Sequence, residues 1–170
     1  GPARKSIGPL SQVMPFYDKT IDAIVITNPD ADHIAGFMEI LKNYKVGKVF
    51  EPGTYNDSTT YKNLKNEIKN QNISDILVKR GMNINIGGGA YIDILFPDRD
   101  VSTWTTNDGS IIARLVYGNT SIMLTGDSTI ETEKIVLAEN PSSYLDSDIL
   151  KVGHHGSHTS TSEAFVKAVT

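Results

Sequence analysis

The chain carries four histidines, and all of them fall in two short stretches. His33 lies in "TNPDADHIAG", Thr27 to Gly36, just after Asp30 and Asp32. His154, His155 and His158 fill "HHGSHTSTS". A third stretch, "MLTGDST", carries Asp127. Carboxylates that converge in one cleft repel each other, and some would have to protonate. A divalent cation removes that conflict and holds them ionised. It also lowers the pKa of bound water from roughly 16 to about 7, which makes a nucleophile available near neutral pH. A neighbouring imidazole can orient substrate or protonate a leaving group. The sequence has no cysteine, so a transition-metal site must be built from His and carboxylates.

Each stretch also has a plainer reading. Asp32 and Asp127 both precede helical patterns, where a lone Asp commonly serves as an N-cap. "HHGSH" taken alone is compatible with a surface loop. The conjunction favours chemistry: every histidine and the well-spaced aspartates follow an apolar strand pattern, and loops at strand ends are where rigid sheets present ligands.

The elements that must position these residues are legible from periodicity. "IDAIVIT", residues 21–27, is an apolar, β-branched run that predicts a buried strand. After His33, the residues Ile34, Phe37, Met38 and Leu41 recur at helical spacing. "GKVFEP" predicts the next strand. "STTYKNLKNEIKNQ" predicts an amphipathic helix with Tyr61, Leu64 and Ile68 on one face, capped by Ser58 or Thr59. Five further runs predict strands: "ISDILV", "MNINIG", "AYIDILF", "SIIARLVYG" and "TSIMLTG", with a tight hairpin at "YGNTS". "TIETEKIVLAEN" predicts a helix with Ile130, Ile135 and Leu137 among its apolar positions, "SDILKVG" a buried strand, and "SEAFVKAV" a last helix. The mixture predicts an α/β or α+β fold in one domain spanning residues 1–170.

Bulk properties narrow the function classes. The 170 residues suffice for one domain with a real core. No apolar run approaches the roughly 20 residues of a membrane-spanning helix, so no membrane contact is expected of the chain itself. No secretory signal pattern opens the sequence, and the leading Gly1-Pro2 also fits a cloning scar. The net charge of −4 gives no global basic footprint for nucleic acid. The charge is uneven, with eight Lys or Arg against four acids over residues 42–80, and five against eleven over residues 81–170. Such a basic run predicts a solvated helix face, with a backbone track for a polyanion through Lys62, Lys65 and Lys69 as the sharper alternative.

Taken in order, "TNPDADHIAG", "MLTGDST" and "LKVGHHGSHTSTSEAF" resemble the metallo-β-lactamase fold superfamily. The resemblance is to the hydrolase domain of ComEC-type competence DNA-uptake proteins and covers nearly the whole chain. It implies an αββα sandwich with a metal site at one edge of two sheets. It also implies further strands before Gly1 and after Thr170, so the domain is expected to be truncated at both ends. The branch motif H-x-D-x-D-H places Asp30, Asp32 and His33 as metal ligands, with Asn28 in place of the first histidine. Asp127 matches the aspartate that bridges two metals. Asn107, Asp108 and Ser110 fall where many members carry another His. His154 and His155 match the branch's paired histidines, and either could ligate metal or touch substrate.

The expectation is a metal-dependent hydrolase cleaving a phosphodiester, with DNA as the substrate. Asp32, His154 and His155 are the catalytic candidates, and Asp30, Asp32, His33, Asp127 and His155 the metal ligands. Asn28, Ser157, His158, Ser160 and Thr161 are the substrate-contact candidates, the hydroxyls serving as donors to phosphate oxygens. One cation is expected, zinc or manganese. A second would have only Asp30, Asp127 and the amide oxygen of Asn28, an oxygen-rich set that suits Mn²⁺ or Mg²⁺. Two alternatives stand beside this: a degenerate, non-catalytic domain that binds nucleic acid or a partner, and a hydrolase of small esters or thioesters. The compartment is left open by the cysteine-free composition, and the resemblance implies a soluble domain of a bacterial membrane-anchored competence protein.

Overall fold

Strand-forming runs and amphipathic helices alternate along the first 77 residues, and they assemble around one parallel sheet. The computed structural model describes residues 7–170, so Gly1 and Pro2 lie outside the described residues. By its contacts the chain divides into two compact units, residues 1–51 with 55–77, and residues 52–54 with 78–170.

In the first unit, α1 (Ile7–Val13) leads into β1 (Thr20–Val25), α2 (Ala31–Ile34), α3 (Phe37–Asn43), β2 (Lys45–Glu51), α4 (Thr59–Asn70) and β3 (Ser74–Leu77). The strands pair in parallel in the order β1-β2-β3. Parallel strands need crossover connections, and the helices supply them. The predicted apolar faces pack as expected: Ile24, Ile26, Ile34, Leu41, Val49, Tyr61, Leu64 and Ile68 form one buried cluster. Ser58 caps α4 by accepting the Tyr61 N–H at 3.2 Å. The β1–β2 approach is close at Gly47, where a Cβ would lie 2.7 Å from the Asp22 carbonyl oxygen.

The lysines of α4 are not simply solvated. Lys62 pairs with Asp57 at 2.5 Å, and Lys65 pairs with Glu51 at 2.5 Å and also with Asp75. Glu51 is buried at the end of β2, and burial pushes its carboxyl above the usual range, against the pull of Lys65. Lys65→Met is expected to lower the unfolding free energy by about 2 kcal/mol at pH 7. The loss is smaller than for a fully buried pair, because Lys65 keeps 29% of its side chain in water. The sign with pH follows from the raised pKa: the buried carboxyl is neutral and tolerated at low pH, and becomes an uncompensated charge as pH rises through it. Urea midpoints taken across the acid range should therefore show the deficit growing toward neutrality. A deficit independent of pH would mean that Lys65 acts through packing alone.

The second unit contains β4 (Asn83–Gly87), β5 (Ala90–Phe96), β6 (Ile112–Tyr117), β7 (Thr120–Leu124), α5 (Ile130–Glu139), α6 (Ser142–Leu145), β8 (Ile149–Lys151), a 3-10 turn (His154–Gly156) and α7 (Glu163–Val169). Its sheet runs in the order β4-β5-β6-β7-β8, antiparallel except for the parallel pair β7–β8. The predicted hairpin at "YGNTS" is present: Tyr117 pairs with Thr120 across Gly118-Asn119, and Gly118 takes the left-handed φ of 58° that such a turn requires. Phe96, Ile112, Met123, Val136, Leu145, Phe165 and Val169 form a second buried cluster. The mixed α/β class with two sheets and flanking helices is thus borne out. Among the described residues no helix is long and apolar enough to cross a membrane.

One predicted face is turned. In α5 the fully buried positions are Thr132, Glu133 and Val136, while Ile130, Ile135 and Leu137 are half-buried. Polar partners from other elements meet the first two, so burial follows hydrogen bonding rather than apolar spacing.

Candidate metal centre

The first cluster sits where β1 runs out. The Ile26 N–H still donates to the Phe50 carbonyl at 2.8 Å, and the chain then leaves the sheet. Asn28 is fully buried, and its side-chain oxygen accepts the Asp30 N–H at 2.7 Å. This is the turn that an Asn makes with the backbone two residues on. Asp30 is the N-cap of α2, with extended backbone angles, but its side chain makes no capping bond. Its carboxylate accepts the Asn56 amide at 2.7 Å. The capping role considered for Asp32 therefore belongs by position to Asp30, and Asp32 lies in the first helical turn. There the Asp32 carboxylate stands 3.6 Å from His33 Nε2, with 61% of the Asp32 side chain and 15% of the His33 side chain exposed.

The second cluster sits where β7 and β8 run out side by side. Asp127 follows Gly126, whose φ is 54°, and its side chain is almost wholly buried. It does not cap α5 either, since Thr129 holds that position. Its carboxylate lies 3.5 Å from His155 Nε2. The Asp127 N–H donates to Ser110 Oγ at 3.4 Å, and the His154 N–H donates to the Gly126 carbonyl at 3.2 Å. The histidine segment is thereby fastened to the end of β7.

His154 and His155 point their chemistry differently. His154 Nδ1 lies 3.3 Å from Thr159 Oγ1, which in turn lies 2.9 Å from Ser157 Oγ. His155 faces Asp127. His158 is exposed. Ser160 is buried, and its hydroxyl donates to the Ser128 carbonyl at 2.5 Å. Thr161 Oγ1 accepts the Gly153 N–H at 2.9 Å. The hydroxyls of Ser160 and Thr161 thus fasten the segment, while Ser157 and Thr159 form a chain leading to His154.

Two residues brace the site by contacts that their motif spacing does not show. Asp108 accepts from Thr105 Oγ1 at 2.7 Å and from Thr129 Oγ1 at 2.6 Å, and its carbonyl accepts from Thr132 Oγ1 at 2.7 Å. It braces the residues that follow Asp127. Next to it, a Cβ on Gly109 would lie 2.1 Å from Thr54 Cγ2, so any larger residue there would force the buried Thr54 to move. Glu133 is the other, with a buried carboxylate turned toward the backbone of Thr161 and Ser162.

Both units thus present a carboxylate beside an imidazole at the exit of a strand, the donor chemistry that a zinc-like or manganese-like cation takes. Residues 17–170 match the Metallo-beta-lactamase superfamily. The chain belongs to this superfamily. It is 30% identical over 149 residues to ComE operon protein 3 of Bacillus subtilis (strain 168), covering 88% of this chain and 19% of that protein. It is 26% identical over 161 residues to Recombination protein 2 of Haemophilus influenzae, covering 93% of this chain and 18% of that one. It is also 26% identical over 152 residues to Competence protein ComA of Neisseria gonorrhoeae, covering 89% and 19%. The similarity to ComEC-type competence proteins expected from the motifs is borne out. The chain spans about a fifth of the length of these curated relatives.

Proposed function

We propose that the chain is one metallo-β-lactamase-like domain and a metal-dependent hydrolase that cleaves a phosphodiester in DNA. The observation that carries this reading is the pairing of a carboxylate with an imidazole in each unit, Asp32 with His33 and Asp127 with His155. Similarity to competence proteins supports DNA as the substrate.

Asp32, His33, Asp127 and His155 are the residues proposed to hold the cation. When bound, the cation supplies Lewis acidity and makes water a nucleophile near neutral pH. The remaining work falls to side chains. Asp32, the exposed carboxylate, takes the proton of the attacking water as the new P–O bond forms. His154, whose Nδ1 is held near Thr159, gives a proton from Nε2 to the leaving oxygen as the old P–O bond breaks. Ser157 and His158 lie on the same segment and are proposed to contact phosphate.

A single cation, zinc or manganese, is proposed rather than two. The Asn28 oxygen is engaged with the Asp30 N–H, and the Asp30 carboxylate with Asn56. The set for a second cation thus holds no imidazole, and its one amide oxygen already serves the turn.

The test begins with metal-stripped protein titrated with Zn²⁺, Mn²⁺ and Mg²⁺. One equivalent is expected to bind, and the loaded protein is expected to cleave single- or double-stranded DNA. Binding without cleavage, on DNA and on a model thioester alike, would support the non-catalytic alternative. Thioester cleavage alone would move the protein to the small-ester class. No binding at all would sink the proposal.

A further inference from the structure

The segment that carries the two histidines is held in a conformation that L residues avoid. His154, His155 and Thr161 have φ of 45°, 54° and 60°. Single residues enter this region only when their surroundings over-determine it. Three fasteners are already described: Ser160 to Ser128, Gly153 to Thr161 Oγ1, and His154 to Gly126. A fourth is the Ile130 N–H, which donates to the Thr159 carbonyl at 2.9 Å. The fifth is of another kind. Glu133 is wholly buried on α5, and its two carboxylate oxygens accept the Thr161 N–H at 2.5 Å and the Ser162 N–H at 2.9 Å.

We propose that Glu133 is a positioning residue for His154 and His155, its buried carboxylate clamping the Thr161–Ser162 backbone that closes their loop. An apolar side chain would fill the same space without the cost of desolvating a charge. What such a residue could not do is accept two adjacent N–H groups at once. Fixing both of them fixes the two peptide planes that flank Thr161, and with them its left-handed conformation. Thr161 then presents its hydroxyl to Gly153, the residue just before His154. The carboxylate thus sets one end of the loop and, through Thr161, the other. The consequence for cation binding rests on the proposed function, in which His155 is a ligand; the clamp itself does not.

Amide hydrogen exchange tests the clamp without reference to activity. In the wild-type protein the Thr161 and Ser162 amides should exchange at least about 100-fold more slowly than exposed loop amides. Glu133→Gln keeps the volume but opposes one N–H with an NH₂ group. It is expected to speed exchange at these two amides by about 10-fold or more, and to weaken Mn²⁺ or Zn²⁺ binding by about 10- to 100-fold. Val136→Ala, on the same helix and also buried, is the control. It should lower stability while leaving cation affinity unchanged, because it makes no polar contact with the loop. Unprotected Thr161 and Ser162 amides in the wild type would overturn the proposal, and so would a folded Glu133→Gln with wild-type exchange and affinity. Should Glu133→Gln fail to fold, Glu133→Asp serves in its place. It keeps the charge and withdraws the carboxylate by one methylene, so the same two amides must speed up or the proposal falls. If the wild type binds no cation, the functional reading fails while the exchange data still decide the role of Glu133.

Discussion

Asp127→Asn is expected to reduce cation affinity by at least about 100-fold and to bring the proposed DNA cleavage to background. The exchange is nearly isosteric, so the surroundings of β7 should be kept. The bond from the Asp127 N–H to Ser110 involves the backbone and survives the change. What is lost is an anionic oxygen at a buried position 3.5 Å from His155. A buried carboxylate beside an imidazole compensates a divalent cation in a way that an amide dipole cannot. Thermal melts with and without cation give a sensitive measure. A ligand that binds only the native state stabilises it by about 2.7 kcal/mol at a hundred times its Kd. Wild-type protein should therefore melt higher when Mn²⁺ or Zn²⁺ is added, and Asp127→Asn should not. In the presence of chelator the two proteins should melt within about 2 °C of each other. Equal stabilisation of both by cation would remove Asp127 from the ligand set.

The sequence made the frame of this site readable because period and punctuation agree in it. "IDAIVIT" reads as a strand by its β-branched run and the spacing of Ile34, Phe37 and Leu41 reads as a helix, which puts Asp30, Asp32 and His33 where the one gives way to the other; in the fold Asp32 and His33 already lie in α2. The same logic placed Asp127 and the paired histidines at strand exits. What stayed hidden depended on tertiary hydrogen bonds. The four-residue α6 and the 3-10 turn at His154 have too few residues to show a period, and α1 carries Gly8 and Pro9, which argue against a helix. The segment after His33 is split into α2 and α3 at Ala35-Gly36, which apolar spacing alone does not reveal. Asn28 looked like a substituted ligand, yet it also closes the turn that presents Asp30, and composition could not show that second use. Glu133 is one of three acids in "TIETEKIVLAEN", and spacing does not set it apart from the others. Its partners, the amides of Thr161 and Ser162, lie 28 and 29 residues away, and only the fold brings them together.

Phe165→Ala should be the most destabilising of the single substitutions considered, at about 3–5 kcal/mol by urea unfolding. Phe165 is fully buried in the cluster with Val136, Leu145 and Val169. Truncation removes the ring from a close-packed interior and leaves a cavity that the short α7 cannot collapse to fill. Phe165→Leu, which retains most of the volume, should cost about 1 kcal/mol. The larger loss also bears on the site. The Phe165 N–H donates to Ser162 Oγ, the cap that starts α7, and the Ser162 N–H is one of the two that Glu133 holds. At the other end of the helix, the Val169 carbonyl accepts the Ser147 N–H at 2.7 Å, just before β8 begins. The Phe165 ring therefore anchors a helix tied both to the entry of β8 and to the end of the histidine loop. If this linkage holds, Phe165→Ala should weaken cation binding even at temperatures where circular dichroism shows the chain still folded, and Phe165→Leu should not. Cation affinity that stays at the wild-type value in folded Phe165→Ala would mean that the loop is held by its own hydrogen bonds, independently of the core beneath it.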